Sequence, residues 1–454
     1  DAQASKAPIQ KLADFVAGHF IAGVHVLALI VFVFWFFIGY ASFFSPASRF
    51  VLSPYSLAQV GVFGFSLLLS VTTLIISCPC ALGLATPSAI MAGTGKGAEN
   101  GILFKGADSV EASSKLNAVV FDKTGTLTKG EPSVTDIYVT AGFARSDVLK
   151  LAAIAEKSSE HPLGEAIVRG AKEEGLSIED TDDFEAIPGK GVRAGYQGQT
   201  ILLGNRRLMQ HQNINIGNLD EKMEQLEGEG KTAMLMAIDG KAAGIIAVAD
   251  TLKENAKVAV ERLHQMGVQV AMITGDNRRT AEAIARQVGI KTVLAEVLPQ
   301  DKAAEVKKLQ EKGLKVAMVG DGINDAPALA QAHVGIAIGS GTDVAKETGD
   351  IILIKDDIRD VVGAIEIGRA TMRKIKQNLV WAFVYNLTGI PLAAGILYPF
   401  TGLLVSPELA SFFMAMSSLS VTMNTLLLKS YQPSFRREQG KSGRHPSPRP
   451  QPAR

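Results

Sequence analysis

The chain has 454 residues, of which 20% are charged, and its 46 basic and 45 acidic side chains leave a formal net charge of +1. This balance argues against a nucleic-acid partner and against a polyacidic substrate. The mean hydropathy is nevertheless positive, at +0.18, so the apolar residues must be collected in blocks, as in a membrane protein with large soluble parts.

Two uncharged apolar blocks open the chain. The first, Phe15 to Tyr40, exceeds the roughly 20 residues that a helix needs to cross the hydrocarbon layer, and it is too long for a signal peptide. The second, Val51 to Gly95, is long enough for a span and an extension. Residues 1–104 are therefore predicted to contain the first two membrane helices, at about 15–40 and 57–92.

The only two cysteines lie in the run Cys78-Pro79-Cys80, deep in the second block. Two cysteines this close cannot form the disulfide framework of a secreted fold. In an unbroken helix their side chains would point about 200° apart, but Pro79 removes a backbone hydrogen bond and opens the helix, which allows both to face one cavity. Thiolates bind soft ions such as Cu(I), and also Zn²⁺. The alternative is a pair of small packing residues beside a proline kink.

The chain between the membrane blocks has the alternating strands and helices of an α/β fold. Residues 134–248 have strands and helices of their own and are predicted to be an inserted domain. The remaining soluble residues contain five runs predicted as buried parallel strands: Asn117–Phe121, Val268–Ile273, Lys315–Val319, Val334–Ile338 and Ile351–Ile354. In open α/β sheets, ligands bind beyond the carboxyl ends of the strands.

Polar residues suited to phosphate chemistry follow three of these strands. Asp122 begins a tight turn whose backbone N–H groups could surround a phosphate, and its carboxylate would be the nucleophile. Asp321 is placed to hold Mg²⁺, while Thr274 and Lys302 could bind or neutralise the phosphoryl oxygens. Each turn alone is more often a plain loop. The runs are Asp122-Lys123-Thr124-Gly125-Thr126, Thr274-Gly275-Asp276 and Gly320-Asp321-Gly322-Ile323-Asn324-Asp325.

Two further uncharged runs, Asn378 to Pro407 and Leu409 to Leu428, predict the last two membrane helices within residues 366–429. Basic residues lie on one side of the spans, which the positive-inside rule assigns to the cytoplasm. They are Lys96, Lys105, Arg373, Lys374, Lys376 and Lys429. Residues 430–454 are rich in Pro and Arg and are predicted to be a disordered tail.

The last two spans carry candidate ligands for a soft ion. Tyr385 and Asn386 lie in the third span, and Met414 and Ser418 share one helical face in the fourth. Polar residues in spans also serve as helix contacts, so residue types alone leave both roles open. Because the two uncharged runs contain no Asp, Glu, Lys or Arg, they favour a monovalent soft ion.

Together these motifs resemble the P-type ATPases, members of the haloacid-dehalogenase superfamily, and in particular their Cu(I)-exporting heavy-metal branch. The resemblance implies a membrane α-helical bundle plus α/β domains. The α/β part would be a Rossmann-like phosphorylation domain, residues 105–133 and 249–365, with an inserted α+β nucleotide-binding domain, residues 134–248. It implies ATP-driven export of Cu(I), and of Ag(I) as the variant cargo, through an aspartyl phosphate on Asp122.

The resemblance also implies a role for each matching residue. From residue types alone His161, before Pro162, would be a capping or core histidine. The implied catalytic residues are Asp122, Lys123, Thr124, Thr274, Gly275, Asp276 and Lys302; the nucleotide ligands are Glu156, His161, Gly189 and Gly191; the Mg²⁺ ligands are Asp122, Thr124, Asp321 and Asp325; and the copper ligands are Cys78, Cys80, Tyr385, Asn386, Met414 and Ser418.

Thr124 separates this chain from the phosphatases of the superfamily, which carry a second acid at that position. A threonine cannot act as that general acid or base. A phosphoenzyme on Asp122 should therefore persist.

The sequence departs from the family because no Thr-Gly-Glu run of an actuator domain occurs. We therefore expect the C-terminal part of a longer pump, without the actuator domain and the first membrane helices. The implied partners are membrane lipid, ATP with Mg²⁺, a soluble copper chaperone and the missing N-terminal part. The implied location is the cell membrane, as a multi-pass protein with cytoplasmic catalytic domains. The alternatives are a Zn²⁺/Cd²⁺ pump, a membrane-anchored phosphatase and a non-catalytic regulatory module.

Overall fold

The computed structural model describes residues 7–45, 49–51, 57, 60–159, 161–276, 278–321, 325–339 and 347–436. The chain divides into two compact units. Residues 1–115, 350–352 and 362–454 form a helical unit, and residues 116–349 and 353–361 form an α/β unit.

The N-terminal part of the helical unit consists of long apolar helices. Its elements are α1 (Pro8–Phe34), a π-helical turn (Trp35–Gly39), α2 (Tyr40–Phe43), β1 (Arg49–Phe50), α3 (Gly61–Ile76), α4 (Cys80–Glu99), β2 (Ile102–Phe104) and α5 (Ala107–Ser114). The helix breaks between α3 and α4, as predicted from Pro79, which has no N–H to continue the ladder. At the break the Ser77 hydroxyl donates to the Thr73 carbonyl at 2.5 Å.

The next elements build an antiparallel sheet. They are β3 (Ala118–Asp122), a turn (Lys123–Leu127), β4 (Thr128–Val139), α6 (Arg145–Glu156), α7 (Pro162–Glu173), β5 (Asp183–Ile187), β6 (Gly191–Tyr196), β7 (Gln199–Gly204), α8 (Arg206–His211), α9 (Leu219–Gly228), β8 (Thr232–Ile238) and β9 (Lys241–Leu252). Except for β3, the strands form one sheet in the order β4-β9-β8-β7-β6-β5.

Strand β8 shows why both faces of this sheet are covered. Its side chains alternate between the two faces. Met234 and Met236 enter the apolar cluster that includes α6 and α7, whereas Ala233 and Leu235 enter the cluster that includes α8 and α9.

The rest of the α/β unit forms a parallel sheet. The elements are α10 (Ala256–Gln265), β10 (Gln269–Ile273), α11 (Arg278–Val288), β11 (Thr292–Leu294), a 3₁₀ turn (Pro299–Asp301), α12 (Lys302–Glu311), β12 (Val316–Gly320), α13 (Ala326–Gln331), β13 (Val334–Ile338) and β14 (Ile351–Leu353). Strands β11, β10, β3, β12 and β13 neighbour one another in that order, and all their pairings are parallel. The five predicted strands are thus observed, each with its ends within one residue of the predicted bounds.

The chain ends in a second set of helices, α14 (Arg359–Ala393), α15 (Tyr398–Thr401), β15 (Leu403–Leu404), α16 (Pro407–Leu426) and a 3₁₀ turn (Leu427–Ser430). Within the described residues, three helical stretches are long and apolar enough to cross a membrane: Pro8–Phe43, Gly61–Glu99 and Pro407–Ser430. The predicted third span is not among them. Its uncharged run begins inside α14, and the helix ends at Ala393, before the positive-φ Gly395.

The predicted disordered tail differs from the structure at its start. Ser434 donates its N–H to Glu366 Oε2 at 2.8 Å, and Arg436 Nη2 donates to the Asn100 carbonyl at 3.2 Å. The Phe435 ring is 9% exposed and lies against Gly363. This aromatic anchor keeps residues 431–436 packed, and residues 437–454 lie outside the described part of the chain.

An aromatic cluster holds the helical unit together around Trp35. The Trp35 ring is 2% exposed and makes edge contacts with Phe65 and Tyr398. Its indole N–H donates to the Ala394 carbonyl at 2.8 Å. One side chain thus ties the π-helical turn to the end of α14.

We predict that Trp35→Phe lowers the free energy of unfolding by about 2 kcal/mol, because a partly buried carbonyl loses its donor. Thermal denaturation of the detergent-solubilised protein would measure the change. Phe37→Leu, which alters a side chain that is 70% exposed on the same turn, is the control. Equal melting temperatures for Trp35→Phe and the unsubstituted protein would contradict the prediction.

Candidate functional site

The register of the parallel sheet brings three predicted residues to one edge. Ile273 lies opposite Asp122 in the β10–β3 pairing, and Val319 lies opposite Phe121 in the β12–β3 pairing. Thr274 and Asp321 therefore leave their strands beside Asp122. The sheet gathers these groups although they lie up to 199 positions apart in the sequence (321 − 122 = 199).

Three carboxyl groups meet at this edge. Oxygens of Asp122, Asp321 and Asp325 lie within 4.8 Å of one another. Asp122 is 5% exposed and Asp325 2% exposed. Hard anionic oxygens at this spacing suit a small divalent cation such as Mg²⁺, so the cluster fits the predicted ion. Gly322, Ile323 and Asn324 of the same run lie outside the described residues.

Lys302 supplies the positive charge inside this cluster. Its Nζ lies 2.7 Å from Asp122 Oδ1 and 2.7 Å from Asp325 Oδ1. It enters from the first residue of α12 and is 7% exposed. The predicted electrostatic role of Lys302 thus has a matching geometry, with a pairing to two carboxylates at once.

Burial decides the ionisation of the cluster. It raises the pKa of Asp122 to about 7, with repulsion from Asp325 adding to the rise and Lys302 opposing it. The pKa of Asp321 is also raised, by burial and then by Asp325. Burial alone would lower the pKa of Lys302, but Asp122 and Asp325 outweigh it and raise that pKa.

The turn after Asp122 is shaped by Gly125. This residue has φ +72°, and a Cβ built there would lie 1.7 Å from Asp321 Oδ2. Only glycine fits such a backbone beside the carboxylate. Thr124 is exposed, whereas Lys123 is buried and pairs with Asp276 at 2.8 Å.

Thr274 stands at the end of β10 as predicted. It is 3% exposed, and its hydroxyl accepts the Asp276 N–H at 3.1 Å. Together with Gly275 these residues form a compact turn, and the Asp276 carboxylate fixes Lys123 across from it. The structure thus places Asp122, Lys123, Thr274, Asp276 and Lys302 at one edge of the sheet, and their catalytic roles stay predictions.

A cleft of about 440 Å³ in the antiparallel-sheet domain collects the four predicted nucleotide ligands. Glu156, His161, Gly189 and Gly191 all line it. Gly191 has φ +145°, and a Cβ there would lie 2.1 Å from the Leu203 carbonyl oxygen, so no side chain fits.

Glu156 and His161 differ in their hydrogen-bond partners. Glu156 is 6% exposed, and its Oε2 has no hydrogen-bond partner among the described residues. Burial raises its pKa. His161 Nδ1 accepts the Leu163 N–H at 3.2 Å and caps α7. The histidine is therefore both a helix cap and a wall of the cleft.

A cavity of about 200 Å³ in the helical unit brings together four of the six predicted soft-ion ligands. Cys78, Tyr385, Asn386 and Met414 line it. Ser417 also lines it, whereas Ser418 and Cys80 do not. Ser417 is three residues from Met414 and shares its helical face.

The two cysteine sulfurs are joined in a disulfide, with the Cα atoms 5.4 Å apart. The break between α3 and α4 thus lets both side chains meet, which an unbroken helix would prevent. A disulfide has no thiolate to offer a metal. Metal binding by this pair requires reduction.

Comparison with known proteins identifies the relatives of the chain. Residues 116–333 match the family model described as hydrolase, haloacid dehalogenase-like hydrolase. The chain is 52% identical over 438 residues to a probable copper-exporting P-type ATPase of Archaeoglobus fulgidus, covering 96% of this chain and 51% of that protein. It is 49% identical over 429 residues to a copper-exporting P-type ATPase of Bacillus subtilis, covering 94% and 50%. The chain therefore spans about half the length of the curated relatives it matches.

A similar fold occurs in a solved structure, a zinc-transporting PIB-type ATPase in the E2.Pi state. The TM-score is 0.76 at 34% identity, covering 90% of this chain and 62% of that one. A second solved structure of a zinc-transporting PIB-type ATPase, in a different state, gives a TM-score of 0.68 at 35% identity, with the same two coverages.

We predict that Lys302→Met destabilises the protein, because two buried carboxylates lose their shared cation. Removal of one partner of a buried ion pair costs about 3–5 kcal/mol. The pKa of Asp122 is raised to about 7, so this carboxyl is neutral well below pH 7 and charged above it. The loss of stability should therefore be larger at pH 8 than at pH 6.

Denaturation of the solubilised chain at both pH values would measure this effect. Lys308→Met changes an exposed lysine on the same helix and serves as the control. A loss of equal size at pH 6 and pH 8 would contradict the assigned ionisation.

Proposed function

The chain belongs to the heavy-metal P-type ATPases, which are multi-pass membrane proteins, and from this premise we propose that it is the catalytic core of an ATP-driven copper(I) exporter. The observation that carries the proposal is the Asp122 carboxylate, buried at the edge of a parallel sheet beside Lys302, Asp321 and Asp325. Such a carboxylate is equipped for nucleophilic attack on phosphorus.

In the proposed reaction an Asp122 oxygen attacks the γ-phosphorus of ATP. The new P–O bond forms as the bond to the β-phosphate oxygen breaks, and ADP leaves with that electron pair. Lys302, whose Nζ lies 2.7 Å from Asp122 Oδ1, neutralises the charge of nucleophile and phosphoryl oxygens. Thr274, beside Asp122, supplies a hydroxyl for the same oxygens.

Mg²⁺, which Asp122, Asp321 and Asp325 would hold, supplies charge neutralisation for the phosphoryl group. Burial, Asp325 and Lys302 set the ionisation of Asp122. Burial raises the pKa of Asp122 to about 7, and a cation held beside this carboxyl would favour its charged form. Thr124 stands where the phosphatases of the superfamily carry a second acid, and a threonine cannot activate water as a general base, which favours a lasting phosphoenzyme over phosphatase activity.

ATP would bind in the cleft lined by Glu156, His161, Gly189 and Gly191. The buried, unpartnered Glu156 Oε2 is an acceptor suited to the exocyclic amino group of adenine. The two glycines leave the backbone open to close approach of the nucleotide.

Copper(I) is the proposed cargo because the cavity offers soft and uncharged groups. Its lining includes the Met414 thioether, the Tyr385 hydroxyl and the Asn386 amide, and among its lining residues there is no acid. Reduced Cys78, which lines the cavity, would add a thiolate, the ligand that soft ions prefer. We propose that reduced Cys80, two residues further along the chain, supplies the second thiolate. A zinc pump is the second candidate, favoured by the fold match to a zinc-transporting ATPase at 34% identity. A divalent ion would gain from a carboxylate that this lining lacks.

Phosphoenzyme formation from γ-labelled ATP tests the proposal in membranes under a thiol reductant. We expect an acid-stable, hydroxylamine-sensitive label that is stimulated by Cu(I) or Ag(I) and absent in Asp122→Asn. Asp147→Asn changes an exposed acid on α6 and should label normally. Label that survives Asp122→Asn would end the aspartyl-phosphate proposal, and stimulation by Zn²⁺ instead of Cu(I) would assign the zinc cargo.

We further predict that Glu156→Gln raises the ATP concentration for half-maximal labelling about tenfold, because a charged hydrogen-bond acceptor is replaced by a neutral amide. A glutamine amide can also donate to the guanine carbonyl, so discrimination against GTP should narrow. Labelling titrations with both nucleotides measure this. Glu165→Gln, an exposed change on α7, is the control, and unchanged titrations for Glu156→Gln would contradict the assigned contact.

A further inference from the structure

We propose that Lys253 is a positioning residue for phosphorylation, which fixes the turn after Asp122 and ties it to Asp356 just before α14. The inference rests on the proposed function and adds a residue that none of the motifs above contains. Lys253 lies directly after β9, where the chain returns from the antiparallel-sheet domain.

The side chain of Lys253 is buried under the turn. The residue is 9% exposed, and its Nζ donates to the Gly125 carbonyl at 2.6 Å and to Asp356 Oδ1 at 2.5 Å. Its own N–H donates to the Leu127 carbonyl at 2.9 Å. An ammonium group is costly to bury without such partners, so the turn carbonyl and the carboxylate account for its position.

Fixing one carbonyl also fixes the next N–H. In a trans peptide unit the C=O and the following N–H point in opposite directions within one plane. The bond from Lys253 to the Gly125 carbonyl therefore holds the Thr126 N–H pointing away from Lys253. The restraint acts beside the carboxyl cluster, because a Cβ on Gly125 would lie 1.7 Å from Asp321 Oδ2.

The end of the turn is held from the same side. Asp250, three residues before Lys253, accepts the Thr128 hydroxyl at 2.5 Å and the Gly130 N–H at 2.9 Å. Thr128 is also paired with Leu252 in the β4–β9 ladder. Asp250 thus restrains the exit of the turn, while Lys253 restrains its centre.

The second partner of Lys253, Asp356, connects the turn to the segment before α14. Asp356 lies three residues before Arg359, where α14 begins, and α14 is the continuous helix that also contains Tyr385 and Asn386. A shift of the Gly125 carbonyl on phosphorylation would therefore act on the segment that leads into α14. The Asp356 side chain is 49% exposed, so this link should matter less than the bond to Gly125.

The test compares Lys253→Met with Lys253→Arg in the full-length protein in membranes, using labelled ATP. A misplaced catalytic group costs about 100-fold in rate, and we expect a loss of that order in the labelling rate of Lys253→Met. The ATP concentration for half-maximal labelling should stay the same, because the nucleotide cleft is untouched. Lys253→Arg, which keeps a cationic donor, should recover most of the rate. Lys257→Met, an exposed change on α10, should match the unsubstituted protein.

A merely structural role would give a different pattern. It would lower the amount of folded protein and its nucleotide binding together, with no split between rate and ATP dependence. If Lys253→Met fails to fold, Lys253→Gln is judged by the same criterion, because its uncharged amide lies one bond closer to the backbone than the Lys253 ammonium and falls short of the Gly125 carbonyl. Labelling of the folded variant at the unsubstituted rate would overturn the proposal for Lys253. Absence of label in the unsubstituted protein would overturn the proposed function itself.

The link to Asp356 is tested separately by a double-mutant cycle. Asp356→Asn should give a smaller loss than Lys253→Met, and the double variant should be no slower than Lys253→Met alone, because both changes break one connection. Additive losses would overturn the link to Asp356.

Discussion

The bridge from Lys302 to Asp122 and Asp325 is the interaction on which the α/β unit depends. Three carboxyl groups within 4.8 Å of one another would repel strongly if all were charged and unpaired. The ammonium group lies 2.7 Å from two of them and offsets their repulsion. The pKa of Asp122 is still raised, because burial and repulsion from Asp325 outweigh the attraction of Lys302. Asp122 and Asp321 lie close together because their strands end at the same edge of the parallel sheet. Lys302, the first residue of α12, places its ammonium group between the carboxylates.

The inserted domain is attached at the most constrained point of this arrangement. The chain leaves through β4 at Thr128 and returns through β9 at Leu252, and these two residues are paired in one ladder. A two-stranded stem beside the turn after Asp122 thus connects this turn to the domain that contains the cleft lined by Glu156 and His161. Asp250 fastens this stem to the turn through its bonds to Thr128 and Gly130.

Much of this could be predicted from the sequence, for identifiable reasons. The five central strands are short β-branched runs that are buried on both faces, so their composition marks them clearly. The meeting of Asp122, Thr274 and Asp321 follows from parallel strands ending at one edge.

Strand β11 was not predicted, because it has three residues and is only half-buried. The positions of Lys253 and Ser417 depend on contacts between distant segments, which local pattern does not encode. The docking of Phe435 likewise depends on a gap above Gly363, whereas composition alone indicated disorder.

The cap that His161 forms on α7 has a consequence for substitutions at this position. One imidazole nitrogen holds the start of the helix, and the same residue forms part of the cleft wall. A substitution there removes a helix cap, which contributes about 1 kcal/mol to folding, and a cleft residue in one step. In a cell, loss of the cap would lower the amount of folded protein, and loss of the cleft residue would alter the cleft in each folded molecule. Growth at lower temperature would restore the abundance and leave the remaining defect visible.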